Sequence, residues 1–353
     1  MVEPAQRRRV VITGMGLVSG HGLGHRVLWE ALCAGRSAIA PIDAARPPGF
    51  DASGFTCRLG AVIPGLDAKD HVPKSYRKAV KVMARDTEIA VACAALAVAD
   101  AGFKTRAHEG ENPTYPLTRV GCHIGAGLIA TEVDELASAQ ATAATPDGGF
   151  DTRAWGAVME AAGARGGMNN LQPLWLLKYL PNMLACHVTI VHGAEGPSNT
   201  ITCAEASGLL SIGESARVIE RGAADASLAG GAESKINPMG LLRWTMAGRT
   251  AACEADEDPR RVLVPFDAAS RGGLLGEGGG LLVLEEASSA RARGAGIAAE
   301  IAGFGAAQAI PGALPYTGDD GLGGRQALID AIERALRDAG IGPGDVDAVV
   351  AMG

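Results

Sequence analysis

A layered α/β fold is what this sequence predicts, on three observations. Short apolar runs alternate with segments of 3.6-residue periodicity. One apolar run passes through a small-residue turn directly into a helical pattern. The chain is also long enough to bury a large core, with 353 residues of which 47% are apolar and 20% charged.

In chain order, the apolar run 10–13 reads as the first strand and 25–34 as the first helix. A longer helical period covers 86–101, ahead of a strand at 120–124. Between about 128 and 175 the sequence turns Ala/Gly/Thr-rich and its periodicity weakens, as expected of an insertion over the core or at a dimer interface. Residues 199–203 read as the strand entering the small-residue turn and 207–221 as the helix leaving it. Strands follow at 225–229, 280–284 and 298–304, then a helix over 325–339 that Gly340 closes as a C-cap, then a strand at 347–351.

Composition narrows the function classes. A net charge of -7 with 4% aromatics argues against a nucleic-acid surface, which needs clustered Lys/Arg and stacking rings. The seven cysteines are scattered singly with no C-x-x-C pair, so neither a disulfide framework nor a metal site is expected, and a reducing cytoplasm fits best. The basic Arg7-Arg8-Arg9 cluster precedes an apolar run, but Gly14, Gly16, Gly20 and Gly22 break that run too early for a signal-peptide core. No stretch reaches membrane-spanning length.

The turn is the most informative segment: Gly196-Pro197-Ser198-Asn199-Thr200-Ile201-Thr202-Cys203-Ala204-Glu205-Ala206-Ser207-Gly208. It presents Glu205 just before a helix, where backbone N–H groups and the helix dipole favour an anion. Any α/β protein could carry such a connection with an acidic first-turn residue. However, the segment closely resembles the active-site run of type II elongating β-ketoacyl-ACP synthases, aligned without a gap, in which a cysteine stands at the position of Glu205.

Other segments resemble that family in the same order. Arg8 to Ser19 is similar to its opening strand and turn, Arg119 to Gly127 to its next core strand, and Pro181 to His187 to the helix beneath the nucleophile. Asp225 to Glu233 resembles the strand after the nucleophile helix, and Pro265-Phe266-Asp267 through Leu275-Gly276-Glu277-Gly278-Gly279-Gly280 to Glu286 the hairpin region beyond it. The resemblance implies a thiolase-like α-β-α-β-α layered fold of two similar halves in a dimer. On that reading residues 1–295 form the N-terminal half with its insertion near 128–175, and 296–353 begin a second half that is incomplete here. Either further chain or another protein is then expected to complete it.

The family's chemistry uses a cysteine to take the acyl group and two histidines to assist decarboxylation and hold the enolate oxygen. At the first of these positions the chain has Glu205, which lacks a thiolate's nucleophilicity. At the histidine of the family's Ala-His-Gly turn it has Met352, which neither donates a hydrogen bond nor carries a proton. Cys203 could substitute only if its strand ran unbroken through the turn, and it is expected to be buried instead. His187 is expected in the core and His192 in a loop; neither matches a family catalytic histidine. Gly14-x-Gly16 lacks the third glycine of a dinucleotide fingerprint, and 275–280 lacks the Lys-Ser/Thr pair of a phosphate loop, so no cofactor is expected.

The resemblance therefore implies a catalytically impaired, chain-length-factor-like subunit. Its expected partners are an active ketosynthase or a second copy of itself, together with acyl carrier protein. Three alternatives stay open: a malonyl-ACP decarboxylase that makes a starter, a synthase with artificially substituted active-site residues, and a scaffold without an acyl ligand.

Overall fold

The computed structural model describes residues 7–45, 49–156, 166–308 and 322–351. The first part of the chain supplies β1 (Val10–Ser19), β2 (Gly22–Leu23), α1 (His25–Cys33), β3 (Ala40–Pro41), β4 (Leu59–Ala61), α2 (Arg85–Asp100) and β5 (Val120–Gly125). The middle part adds α3 (Val133–Ala143), α4 (Thr152–Gly156), α5 (Trp175–Lys178), α6 (Met183–His192), β6 (Ser198–Ile201) and α7 (Ser207–Glu220). Then come β7 (Ala226–Ser234), α8 (Pro238–Met246), α9 (Pro259–Val262), β8 (Leu275–Glu286), α10 (Ala287–Ala292), β9 (Ala299–Ile301) and α11 (Leu322–Ala339).

The main sheet runs β2-β1-β8-β7-β5-β6, with β9 also paired to the start of β1. Its first half is antiparallel, β1 to β8 to β7, and its second half parallel, β7 to β5 to β6. The two faces separate by the two-residue alternation of strands. On β8, Leu281 and Val283 join Leu228 of β7 against α2, while Leu284 joins Ala229 and Val10 against α7. Helix α6 lies beside α2 and adds Leu184, Val188 and Val191 to the same core. This is the expected α/β layering.

Two strands are longer than their apolar runs suggest, because glycine ends the apolar pattern but not the ladder. β1 continues through Gly14 and Gly16 to Ser19, and β8 starts at Leu275, so that Val18 pairs with Gly279 and Leu17 with Gly280. The reason is close packing on α2. A Cβ at Gly16 would lie 1.9 Å from the Cys93 carbonyl oxygen, and one at Gly14 2.4 Å from that of Ala97. A Cβ at Gly279 would meet Ile89 Cγ2 at 2.7 Å and Cys93 Sγ at 2.9 Å. Gly14, Gly16 and Gly279 are thus packing positions.

Two buried ion pairs fasten the sheet. Glu277 on β8 accepts from Arg85 Nε at 2.9 Å, from Ser234 Oγ at 2.9 Å and from the Ile63 backbone N–H at 3.1 Å. Glu285, at the other end of β8, is held by Arg293 at 2.6 Å and by the Tyr115 hydroxyl at 2.8 Å. Neither carboxylate side chain has exposed area, so each needs every one of these donors.

The 128–175 region is not featureless. Its weak periodicity reflects small residues that pack closely: Ala139 and Ala143 of α3 are buried, and Gly167 leaves room for the Ala139 carbonyl, 2.3 Å from where a Cβ would be. The segment is tied down through Glu135, which pairs with Lys178 at 2.9 Å. The sequence expectation of a strand at 347–351 is not met. Those residues form no ladder with any described strand, and Val349 and Val350 are 82% and 100% exposed. Gly340 does end α11 in the left-handed conformation, at φ 70°.

The β1–α2 contact gives a direct test. Gly16→Ala should cost about 3 kcal/mol by forcing the strand off the helix. Gly54→Ala, at an exposed position with nothing within 4 Å of the new Cβ, should stay within about 0.5 kcal/mol of wild type. Denaturant midpoints of the two variants check the contrast, and equal midpoints would contradict it.

Candidate functional site

The turn between β6 and α7 is built from its own backbone. Ala204 takes φ 46°, a left-handed conformation that a residue with a Cβ adopts at a cost of about 1 kcal/mol. Ser207 holds it there: its hydroxyl accepts the Cys203 N–H at 2.8 Å and donates to the Ala204 carbonyl at 2.6 Å. Backbone bonds from Ala206 N–H to Cys203 and from Ser207 N–H to Ala204 complete the turn. Helix α7 then starts on the bare ends of two strands. A Cβ at Gly125 would fall 2.4 Å from the Ser207 carbonyl carbon, and one at Gly231 3.2 Å from Gly208 Cα.

This geometry presents Glu205 between two cavities. The inner one, about 350 Å³, is floored by Gly125, Gly230, Gly231 and Gly280 and walled by Ile212. The outer one, about 400 Å³, is lined by Leu128, Lys235, Arg243, Trp244 and Arg249. Gly127, Ala204, Glu205 and Glu233 border both. Across the mouth, Arg249 Nη2 lies 2.6 Å from Glu205 Oε1 and stacks over the Trp244 ring at 4.3 Å. Lys235 pairs with Glu233 in the same wall. Among the described residues, neither cavity is lined by a cysteine or a histidine.

Sequence reasoning placed Glu205 at the helix N-terminus but missed its partner. Arg249 comes from the loop after α8, far away in sequence, and no local pattern signals it. Three expectations need correction or comment. Cys203 is exposed rather than buried, because β6 ends at Ile201 and the residues beyond it leave the sheet edge; its side chain borders neither cavity. His192 is not in a loop: it ends α6, is buried, and meets Thr105 Oγ1 at 3.0 Å. Met352 lies outside the described residues.

The described buried histidines line neither cavity. His187 is a core residue, as expected, with Nδ1 2.9 Å from the Tyr76 hydroxyl. His123 on β5 meets Ser215 Oγ at 2.9 Å, and burial pushes its pKa down. Burial, helped by His108, pushes His192 down to about 4. Among the described residues no cluster of three or more His, Cys, Asp or Glu could hold a metal, and no described helix is long and apolar enough to cross a membrane.

Comparison with known proteins gives the fold and the turn a family context. Residues 7–290 match the family described as Beta-ketoacyl synthase, N-terminal domain, and the chain belongs to the β-ketoacyl synthase family. It is 32% identical over 336 residues to 3-oxoacyl-[acyl-carrier-protein] synthase 2 of Vibrio cholerae, covering 95% of this chain and 70% of that protein. The synthase 2 of Staphylococcus aureus is 31% identical over 352 residues, covering 99% and 73%. Among solved structures, the ishigamide ketosynthase/chain length factor superposes with a TM-score of 0.71 at 27% identity, covering 97% of this chain and 72% of that one. A β-ketoacyl synthase from Burkholderia phymatum gives 0.69 at 30% identity, covering 95% and 71%. The fold is thus the mixed α/β ketosynthase fold that the sequence resemblance implies.

The burial of His192 sets a pH dependence. A histidine ordinarily titrates near 6.5, so between pH 6.5 and 4 the unfolded chain binds a proton that the folded chain refuses, and stability falls with pH across that window. Asp86, pushed up to about 7 by burial, titrates in the opposite sense but is common to wild type and a His192→Gln variant. Unfolding free energies of the two proteins should therefore shift in the variant's favour by on the order of 3 kcal/mol as pH falls through that window. A pH-independent difference would contradict this reading.

Proposed function

We propose that this chain is a non-condensing ketosynthase-family subunit, chain-length-factor-like, that works beside an active β-ketoacyl-ACP synthase and its acyl carrier protein. The observation that carries this reading is Glu205, presented by a strained turn between two cavities and held by Arg249 at 2.6 Å. At this position the family mounts its acyl-accepting cysteine. A guanidinium-paired carboxylate is an acceptor of hydrogen bonds and a poor acyl nucleophile, since attack on a thioester would leave a reactive anhydride.

Met352 at the position of the family's histidine supports the same reading. Decarboxylation of malonyl-ACP would still need a donor to the enolate oxygen, which weakens the starter-forming alternative. The likeness to a ketosynthase/chain length factor pair is consistent with a two-chain assembly.

The partner surface follows from the sheet. β6 is its edge, with Ser198 and Asn199 exposed, and Leu128 and Leu209 beside the turn are 63% and 72% exposed. An edge strand with apolar neighbours is an incomplete surface. In this reading residues 1–295 carry the N-terminal half and 296–353 open the second.

Size-exclusion chromatography with light scattering, on the chain alone and with a ketosynthase that has the cysteine and both histidines, tests the proposal. A dimer is expected, with an interface of more than about 2,000 Å². Glu205→Cys alone should not restore condensation, because Met352 leaves the enolate without a donor, a deficit of roughly a hundredfold to thousandfold in rate. A stable monomer under both conditions, or near-normal elongation by that variant, would overturn the reading.

A further inference from the structure

We propose that Cys57 and Cys253 are an oxidisable dithiol that closes into a disulfide by exchange with a small-molecule disulfide, clamping the loop that carries Arg249. The two cysteines come from segments 196 residues apart, and their sulfurs lie 3.8 Å from each other in the satellite core around Leu59, Ile236 and Leu241. Their backbones are already in register. Cys57 and Cys253 face each other across an isolated parallel bridge, with the Cys253 N–H donating to Thr56 at 2.8 Å and the Arg58 N–H to Cys253 at 3.2 Å. Bridged strands lie about 4.8 Å apart, inside the Cα separation that a disulfide spans. Side-chain rotation is then what remains to bring the sulfurs to bonding distance.

The two thiols are not equivalent. Cys253 borders a cavity of about 390 Å³ walled by Phe55, Thr56, Arg58 and Glu257, whereas Cys57 does not reach it. The Cys253 thiolate therefore attacks first, breaking the S–S bond of RSSR, forming the mixed disulfide Cys253–S–SR and releasing RS⁻. Cys57, after loss of its proton, then attacks the Cys253 sulfur and expels the second RS⁻. In balance, two protein thiols and RSSR give one protein disulfide and two RSH, with RSSR the oxidant. Burial pushes the Cys57 thiol up to about 12, so closure is slow beside alkylation of the exposed Cys33 and Cys203.

The clamp bears on the site because Cys253 follows Arg249 by one short loop. That loop is pinned at its other side by hydrogen bonds from Gly273 N–H to Arg249 and from Ala251 N–H to Gly273. Joining Cys253 covalently to Cys57 removes the remaining freedom of this wall of the outer cavity.

The test uses the full chain with Cys33→Ser and Cys203→Ser, incubated without denaturant in oxidised glutathione at about pH 8. Intact-mass and unreduced peptide mapping should show loss of two hydrogens and a Cys57–Cys253 cross-link. Closing so long a loop should raise the melting temperature by about 5 °C, reversibly with dithiothreitol. Adding Cys253→Ser to the same background should abolish both effects; that variant is required first to show cooperative unfolding when reduced, and the mapping of the parent stands without it. Both thiols remaining free, a mixed disulfide stalled on Cys253, or pairing of either cysteine elsewhere would overturn the proposal.

Discussion

Everything at the candidate site depends on how closely the N-terminus of α7 approaches the sheet. Gly125 and Gly231 leave no room for a side chain beneath Ser207 and Gly208, so the helix rests on bare strand ends. Gly230, at φ 151°, continues the same floor against the Gly280 carbonyl, 2.0 Å from where a Cβ would stand. With the helix fixed that close, the chain arriving from β6 has to reverse within a few residues, and Ala204 absorbs the strain. Residue 205 is then forced outward over the cavity whatever its chemistry. The fold supplies the presentation, and the side chain decides what is presented.

The side chain here is a carboxylate, and its surroundings are arranged for one. Arg249 is positioned from two directions, by stacking on Trp244 and by the ion pair with Glu205. Both partners are substantially exposed, at 46% and 34%, so the pair adds little to stability. Its consequence is chemical. The guanidinium places a cation 2.6 Å from one carboxylate oxygen of Glu205 and bridges the mouth between the two cavities.

How much of this was legible in the sequence varied with the range of the interactions involved. The turn at 196–208 and the helix after it could be read because their determinants are local: small residues, an apolar run, and a periodic segment. β1 and β8 were read too short, since glycine interrupts an apolar pattern while leaving the ladder intact. His192 and Cys203 were misplaced for a related reason, because burial is decided by neighbours such as Thr105, distant in sequence, and by where an edge strand ends. Arg249 was invisible for the same cause in stronger form: a loop arginine carries no periodic signature, and only the folded chain brings it to Glu205.

The proposed non-condensing role requires that no group at the presented turn accept an acyl chain. Intact-protein mass spectrometry after incubation of the native chain with acyl-ACP measures that most directly. The account predicts an unchanged mass, with Glu205 paired to Arg249 and the exposed Cys203 lying outside both cavities. A stoichiometric acyl adduct on any residue of the chain would contradict it.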